Sequence, residues 1–176
     1  MTARPPISPA VIAQMIRATP RTLHHMLAGL DDAVLSWRPE PDGWCIKDAL
    51  VHLLKADQNA FVLRIQAIIN EDYPTLGGQN SAHITAAHRY DESDLRELLD
   101  ELAHQREEYA AIVENLTSEQ LARKGFYPSH GDFTAADFVY EWGYHDYEHI
   151  KQIATILRLY IWPQMGEVMQ KAVERP

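Results

Sequence analysis

The chain of 176 residues holds a single cysteine, Cys45, so no intrachain disulfide can staple it. It has no basic surplus either: 16 Lys and Arg against 25 Asp and Glu leave a formal net charge of −9. Nucleic-acid binding and docking to an anionic membrane both need a basic face, and this balance argues against each. Long apolar runs are missing as well; charges or histidines interrupt them well short of a bilayer span. The opening Met1-Thr2-Ala3-Arg4-Pro5-Pro6 lacks the apolar core of a signal peptide. These absences make the cytoplasm the expected location. No stretch alternates apolar and polar residues for long enough to predict a strand.

What is present suits a soluble, all-α protein. Apolar residues make up 46% and charged residues 23% of the chain, and its length suits one domain with a sizeable core. The expected domain is 1–176, with a core over 8–158 and a C-terminal extension over 159–176.

Apolar periodicity predicts four long helices. The first covers 8–29, where Ser8-Pro9 supplies a cap and a first-turn proline, and Val11, Ile12, Met15, Ile16, Leu23, Met26 and Leu27 share a face. The second covers 46–70 on the stripe Ile46, Leu50, Leu53, Leu54, Phe61, Ile65 and Ile68. The third covers 91–116, with acidic residues crowding its positive dipole end. The fourth starts at Thr134, where Thr134 and Asp137 form a variant capping box, and runs until Trp162-Pro163 breaks it. Residues 164–174 read as a short extra helix or a tail. The segment 71–90 holds Pro74 and Gly77-Gly78 and has no periodicity. A connection of that length can act as a crossover that lets helices two and three run parallel, giving a four-helix bundle of up-down-down-up order.

The halves resemble each other. Trp44 to His52 can be laid over Phe133 to Glu141, matching the aromatic, the cap position and the Asp three residues on. Leu30 to Leu35 likewise matches Leu116 to Leu121. Glu141 then becomes the counterpart of His52.

Little in the chain suggests chemistry apart from its histidines. His145 and His149 stand four apart in Glu141-Trp142-Gly143-Tyr144-His145-Asp146-Tyr147-Glu148-His149, which puts both imidazoles on one helix face, one turn apart. Two such rings can bind one divalent metal, and His52 is the best candidate for a third ligand. Imidazole suits Zn, Ni, Fe or Cu, and three ligands with an open position describe a catalytic site rather than a closed structural one. Glu141, Asp57 or Gln152 are candidates to orient a ligand ring through its second nitrogen. Against this stands the ordinary reading, in which paired histidines sit at a surface or satisfy one another without metal.

Two runs carry a resemblance to a known family. Trp37-Arg38-Pro39, followed by Gly43-Trp44-Cys45-Ile46-Lys47-Asp48-Ala49-Leu50-Val51-His52-Leu53, resembles the first signature of the DinB/YfiT-like superfamily. His145-Asp146-Tyr147-Glu148-His149-Ile150-Lys151-Gln152-Ile153 resembles the second. Cys45 departs from the pattern, standing where Ser is usual, and a thiol is a poor cap acceptor. The resemblance implies a four-helix bundle that binds a divalent metal (Zn, Ni or Fe) through His52, His145 and His149. It also implies a thiol-dependent S-transferase, or a related isomerase or hydrolase, acting on a small electrophile with a low-molecular-weight thiol as co-substrate. Homodimers are common among relatives. The alternative is a non-catalytic metal-binding or dimerising bundle with a stress-response role.

The remaining candidates read as follows. Asp57 and Glu141 are the carboxylates for a proton-accepting or ring-orienting role. Trp44 and Trp142 read as core packing, and Cys45 as an inert, partly buried thiol. His24, His25, His83, His88, His104 and His130 read as surface residues. Tyr140, Tyr144 and Tyr147 read as packing against other helices or a partner subunit. The run Arg106-Glu107-Glu108 reads as solvated surface.

Overall fold

The computed structural model describes residues 5–77 and 93–173, and within them the chain is mainly helical. Helix α1 (Pro9–Leu27) starts where Ser8 Oγ accepts from the Val11 N–H and Pro9 presets the first turn. A short α2 (Asp32–Leu35) follows. Helix α3 (Ile46–Ala56) runs without a break through a π-helical segment, Asp57–Val62, into α4 (Leu63–Asn70), so the second bundle helix spans the expected 46–70. At its start the Asp48 carboxylate accepts the Cys45 N–H at 2.9 Å, the reciprocal half of a capping box in which the Cys45 thiol faces the Asp48 N–H. Helix α5 (Leu95–Glu114) begins later than periodicity suggested, because Asp94 accepts from the N–H groups of Arg96 and Glu97 and sets the boundary. The expected start at 91 lies outside the described residues, as does most of the crossover.

A short α6 (Ser118–Ala122), capped by Thr117, leads to two four-residue strands, β1 (Lys124–Tyr127) and β2 (Gly131–Thr134). They pair antiparallel, from Lys124 opposite Thr134 to Tyr127 opposite Gly131. This hairpin corrects the strand-free expectation: four residues are too few to show a period, and Gly131, at φ 93°, marks only its turn. Helix α7 (Ala135–Ile161) then begins at the predicted box, Thr134 N–H to Asp137 Oδ2 at 2.7 Å and Asp137 N–H to Thr134 Oγ1 at 3.2 Å. A 3₁₀ turn (Trp162–Gln164) and α8 (Glu167–Ala172) end the described chain. The suspected repeat exists as elements: α2 before α3 matches α6 before α7.

Two buried clusters show the topology. One joins Ile12 and Ile16 of α1 to Phe61, Ile65 and Ile68, to Ala110 and Val113 of α5, and to Phe138, Val139 and Trp142 of α7. The other joins Leu23 and Leu27 of α1 to Ile46, Leu50 and Leu53 of α3, to Leu98 and Leu102 of α5, and to Ile153 and Ile156 of α7. At one end of the bundle thus lie the start of the first long helix, the ends of the second and third, and the start of the fourth. The order is up-down-down-up, with the second and third helices parallel. Gly143 permits close approach of α1, since a Cβ there would stand 3.2 Å from Ile12 Cδ1.

The run Arg106-Glu107-Glu108 does not lie wholly at the surface. Arg106 is fully buried. Its neighbours Glu107 and Glu108 are exposed, as expected of a solvated run.

Candidate metal centre

Three imidazoles meet at one point between α3 and α7. His145 and His149 project from consecutive turns of α7, and His52 meets them from α3. His145 Nε2 lies 3.1 Å from His52 Nε2 and 3.1 Å from His149 Nε2. One ligand atom from each ring lies within 4.8 Å of the others. Ordinary hydrogen bonding cannot account for this convergence. A neutral ring nitrogen offers either one N–H or one in-plane lone pair, so His145 Nε2 cannot serve two partners well. Three nitrogens about 2.0–2.1 Å from one metal stand roughly 2.9–3.4 Å apart at near-octahedral to tetrahedral angles, which brackets the two short separations.

The rings are also in the right protonation state. Burial, then the neighbouring His149, lowers His52 to about 4. Burial, reinforced by His149, His52 and Arg106, lowers His145 further still. Burial lowers His149 as well, against a hydrogen bond to Gln152 that pulls the other way. All three are therefore neutral at physiological pH, the form that binds metal. His149 Nδ1 lies 2.7 Å from Gln152 Oε1. An amide oxygen only accepts, so Nδ1 carries the proton and the Nε2 lone pair points inward. The Nδ1 atoms of His52 and His145 are buried without a partner among the described residues.

Trp44, half-buried, covers this centre from one side. Its ring stacks on His149 at 5.9 Å and 9° and lies 4.9 Å from His52, so it serves the site as well as the core. Beyond it a cavity of 310 Å³ is lined by Trp44, Glu148, Lys151, Gln152, Thr155 and Ile156, among others. Trp44 and Gln152 touch both the cavity and His149.

Neither carboxylate considered for the rings hydrogen-bonds an imidazole among the described residues. Asp57 opens the π-helical segment, fully buried, with Oδ2 held by Arg106 Nε and Oδ1 accepting from Trp142 Nε1 at 2.9 Å. Burial outweighs the nearby Arg106 and pushes Asp57 up to about 7, with Asp146 adding to the rise. Glu141 makes no hydrogen bond among the described residues; burial raises its pKa against the pull of Arg64. Ring orientation falls to Gln152, the third of the residues considered for it.

Sequence reasoning missed the polar layer beside the rings. Arg106 donates through Nη1 and Nη2 to the two oxygens of Asp146 at 2.6 and 2.7 Å. Thr19 Oγ1 donates to Asp146 Oδ2 at 2.6 Å. Burial opposes the Arg106 charge, yet Asp146 and Asp57 together hold its pKa above the usual arginine value. Nothing local signals this layer, because its members come from all four long helices. The expected surface histidines behave as read: His24, His25, His104 and His130 are exposed, while His83 and His88 lie outside the described residues. Cys45 is buried, and burial raises its thiol pKa.

Comparison with known proteins agrees with this fold. The family model of the DinB superfamily matches residues 15–153. Among solved structures, YfiT from Bacillus subtilis is similar over 92% of this chain and 94% of its own, at 19% identity and a TM-score of 0.77. That protein is described as "a probable metal-dependent hydrolase with an unusual four-helix bundle topology". No curated protein matches the chain.

Proposed function

The chain belongs to the DinB superfamily, and from that premise we propose a divalent-metal enzyme that directs a small nucleophile, a thiol or water, onto a small electrophilic substrate. The observation that carries this is the convergence of three neutral imidazoles, with His145 Nε2 at 3.1 Å from both its neighbours. His52, His145 and His149 would hold the ion through Nε2, which leaves coordination positions open. A Zn, Ni or Fe ion there would supply Lewis acidity, making a thiol or water nucleophilic at neutral pH and polarising the electrophile.

The chain's own residues do the rest. Gln152 keeps the proton of His149 on Nδ1 and its lone pair inward. Trp44 excludes water from one side of the rings and lines the neighbouring cavity, whose size suits a small molecule. Glu141, one helical turn before His145, is the carboxylate left free to accept a proton, and its raised pKa suits a base. Asp57, engaged on both oxygens, holds structure. A low-molecular-weight thiol as co-substrate requires a reducing compartment, so we place the reaction in the cytoplasm. Exposed Tyr144 and Tyr147 on α7 support a homodimer, which light scattering would test.

The deciding experiment is metal analysis of protein reconstituted with Zn, Ni or Fe, alongside a variant carrying His145→Ala and His149→Ala. About one ion per chain in the wild type and none in the folded variant supports the site and justifies a screen of thiols with electrophilic substrates. An unmetallated wild type would sink the reading.

A further inference from the structure

The guanidinium of Arg106 lies where the two metal-binding helices can be held against each other. It comes from α5, which carries none of the three histidines. Nε donates to Asp57, which continues the His52 helix, and the two Nη groups donate to Asp146, which follows His145 and precedes His149. Thr19 of α1 grips the same Asp146 carboxylate, and Trp142 Nε1 of α7 grips Asp57. The Trp142 ring stacks on Phe61 at 5.1 Å and 9°, and Phe61 in turn meets the His145 ring edge-on at 5.2 Å. Arg106, Asp57 and Asp146 are all buried. A buried ion network of this kind is weak as a source of stability, since apolar replacements often serve as well or better. Its virtue is geometric: a planar fork fixes both direction and distance, which an ammonium does not.

We propose that Arg106 is a positioning residue for the metal centre, setting the roll of the His52 helix against that of the His145 and His149 helix. This rests on the metal reading above. The magnitudes favour it. At the outer radius of a helix, roughly 6 Å, a roll of about 20° carries a side-chain tip about 2 Å. Metal–nitrogen distances tolerate only about 0.2 Å. Arg106 directs one bond to Asp57 and two to Asp146, and that fixed fork resists such a roll.

The test uses Co²⁺ as probe, with affinity from chelator competition, the visible absorption spectrum of the bound ion, and the melting temperature of the metal-free protein. The variants are Arg106→Lys, Thr19→Val, and Leu102→Ala as a control that loosens α5 without touching the network. Arg106→Lys is expected to weaken Co²⁺ binding by about ten- to a hundredfold and to change the spectrum. Thr19→Val should move both in the same direction by less. Leu102→Ala should lower the melting temperature and leave affinity and spectrum alone. Wild-type affinity and spectrum in Arg106→Lys, or in Thr19→Val should the lysine variant not fold, would overturn the proposal. So would a control that loses affinity as steeply as the network variants. A wild type that takes no Co²⁺ is a separate outcome, and overturns the metal reading with it.

Discussion

Two buried polar clusters lie side by side in this bundle, and they differ in completeness. In the Arg106 layer each carboxylate oxygen has a donor, from Arg106, Thr19 or Trp142. In the histidine layer three ring nitrogens crowd together, and two others are buried without partners among the described residues. The first cluster is finished by the protein itself. The second has the donor set and neutral charge state of a site that a cation completes. Burial thus has opposite uses a few ångströms apart, locking a charge in one place and keeping lone pairs free in the other.

Removing the guanidinium should separate the clusters most sharply. Arg106→Ala leaves two buried carboxylates facing each other and should cost about 3–5 kcal/mol or more of folding stability, measured by urea denaturation of the metal-free protein. His145→Ala should do the reverse. The metal-free protein stays near wild-type stability, but the stabilisation gained with metal at a hundredfold excess over Kd, about 2.7 kcal/mol, disappears. A metal-free His145→Ala protein that unfolds like Arg106→Ala would erase the distinction.

The clusters should also answer pH in opposite directions. Asp57 has a folded-state pKa of about 7, above its ordinary 3.8. Between those values the folded state binds more protons than the unfolded one, so this group's stabilisation is full below 3.8 and is lost as pH rises towards 7. His52 runs from an ordinary 6.5 down to about 4, so its contribution is full above 6.5 and is lost as pH falls towards 4. Asp57→Asn should therefore make metal-free stability rise more steeply between pH 4 and 6.5, and His52→Asn should flatten or reverse that rise. An unchanged slope in either variant counts against the assigned protonation. Gln152→Ala should weaken metal binding about tenfold by freeing the His149 tautomer, with little change in metal-free melting. Smallest of all, Thr134→Ala removes the cap of α7 at a cost of about 1 kcal/mol and should leave metal affinity unchanged.

Much of this was legible in the chain. The stripes of the second and fourth helices, the Ser8 and Thr134 caps and the i, i+4 spacing of His145 and His149 are local, because helix geometry is local. The hairpin at 124–134 was not legible, since its strands are too short to show alternation. The π-helical segment carries no compositional mark, and its Phe61 packs on Trp142 and His145 of α7. Arg106 misled outright, because a basic residue in an acidic run resembles solvated surface until its partners are known.

The sequence by itself determined where the long helices lie, which faces are apolar, and that His145 and His149 share a face, all of which depend on residues within a few turns of each other. Only the tertiary structure decided that His52 meets them, that Asp57 faces Arg106 rather than an imidazole, and that Arg106 is buried. Those outcomes depend on the up-down-down-up packing, which joins residues 40 to 93 positions apart, and no local periodicity encodes how one helix rolls against another.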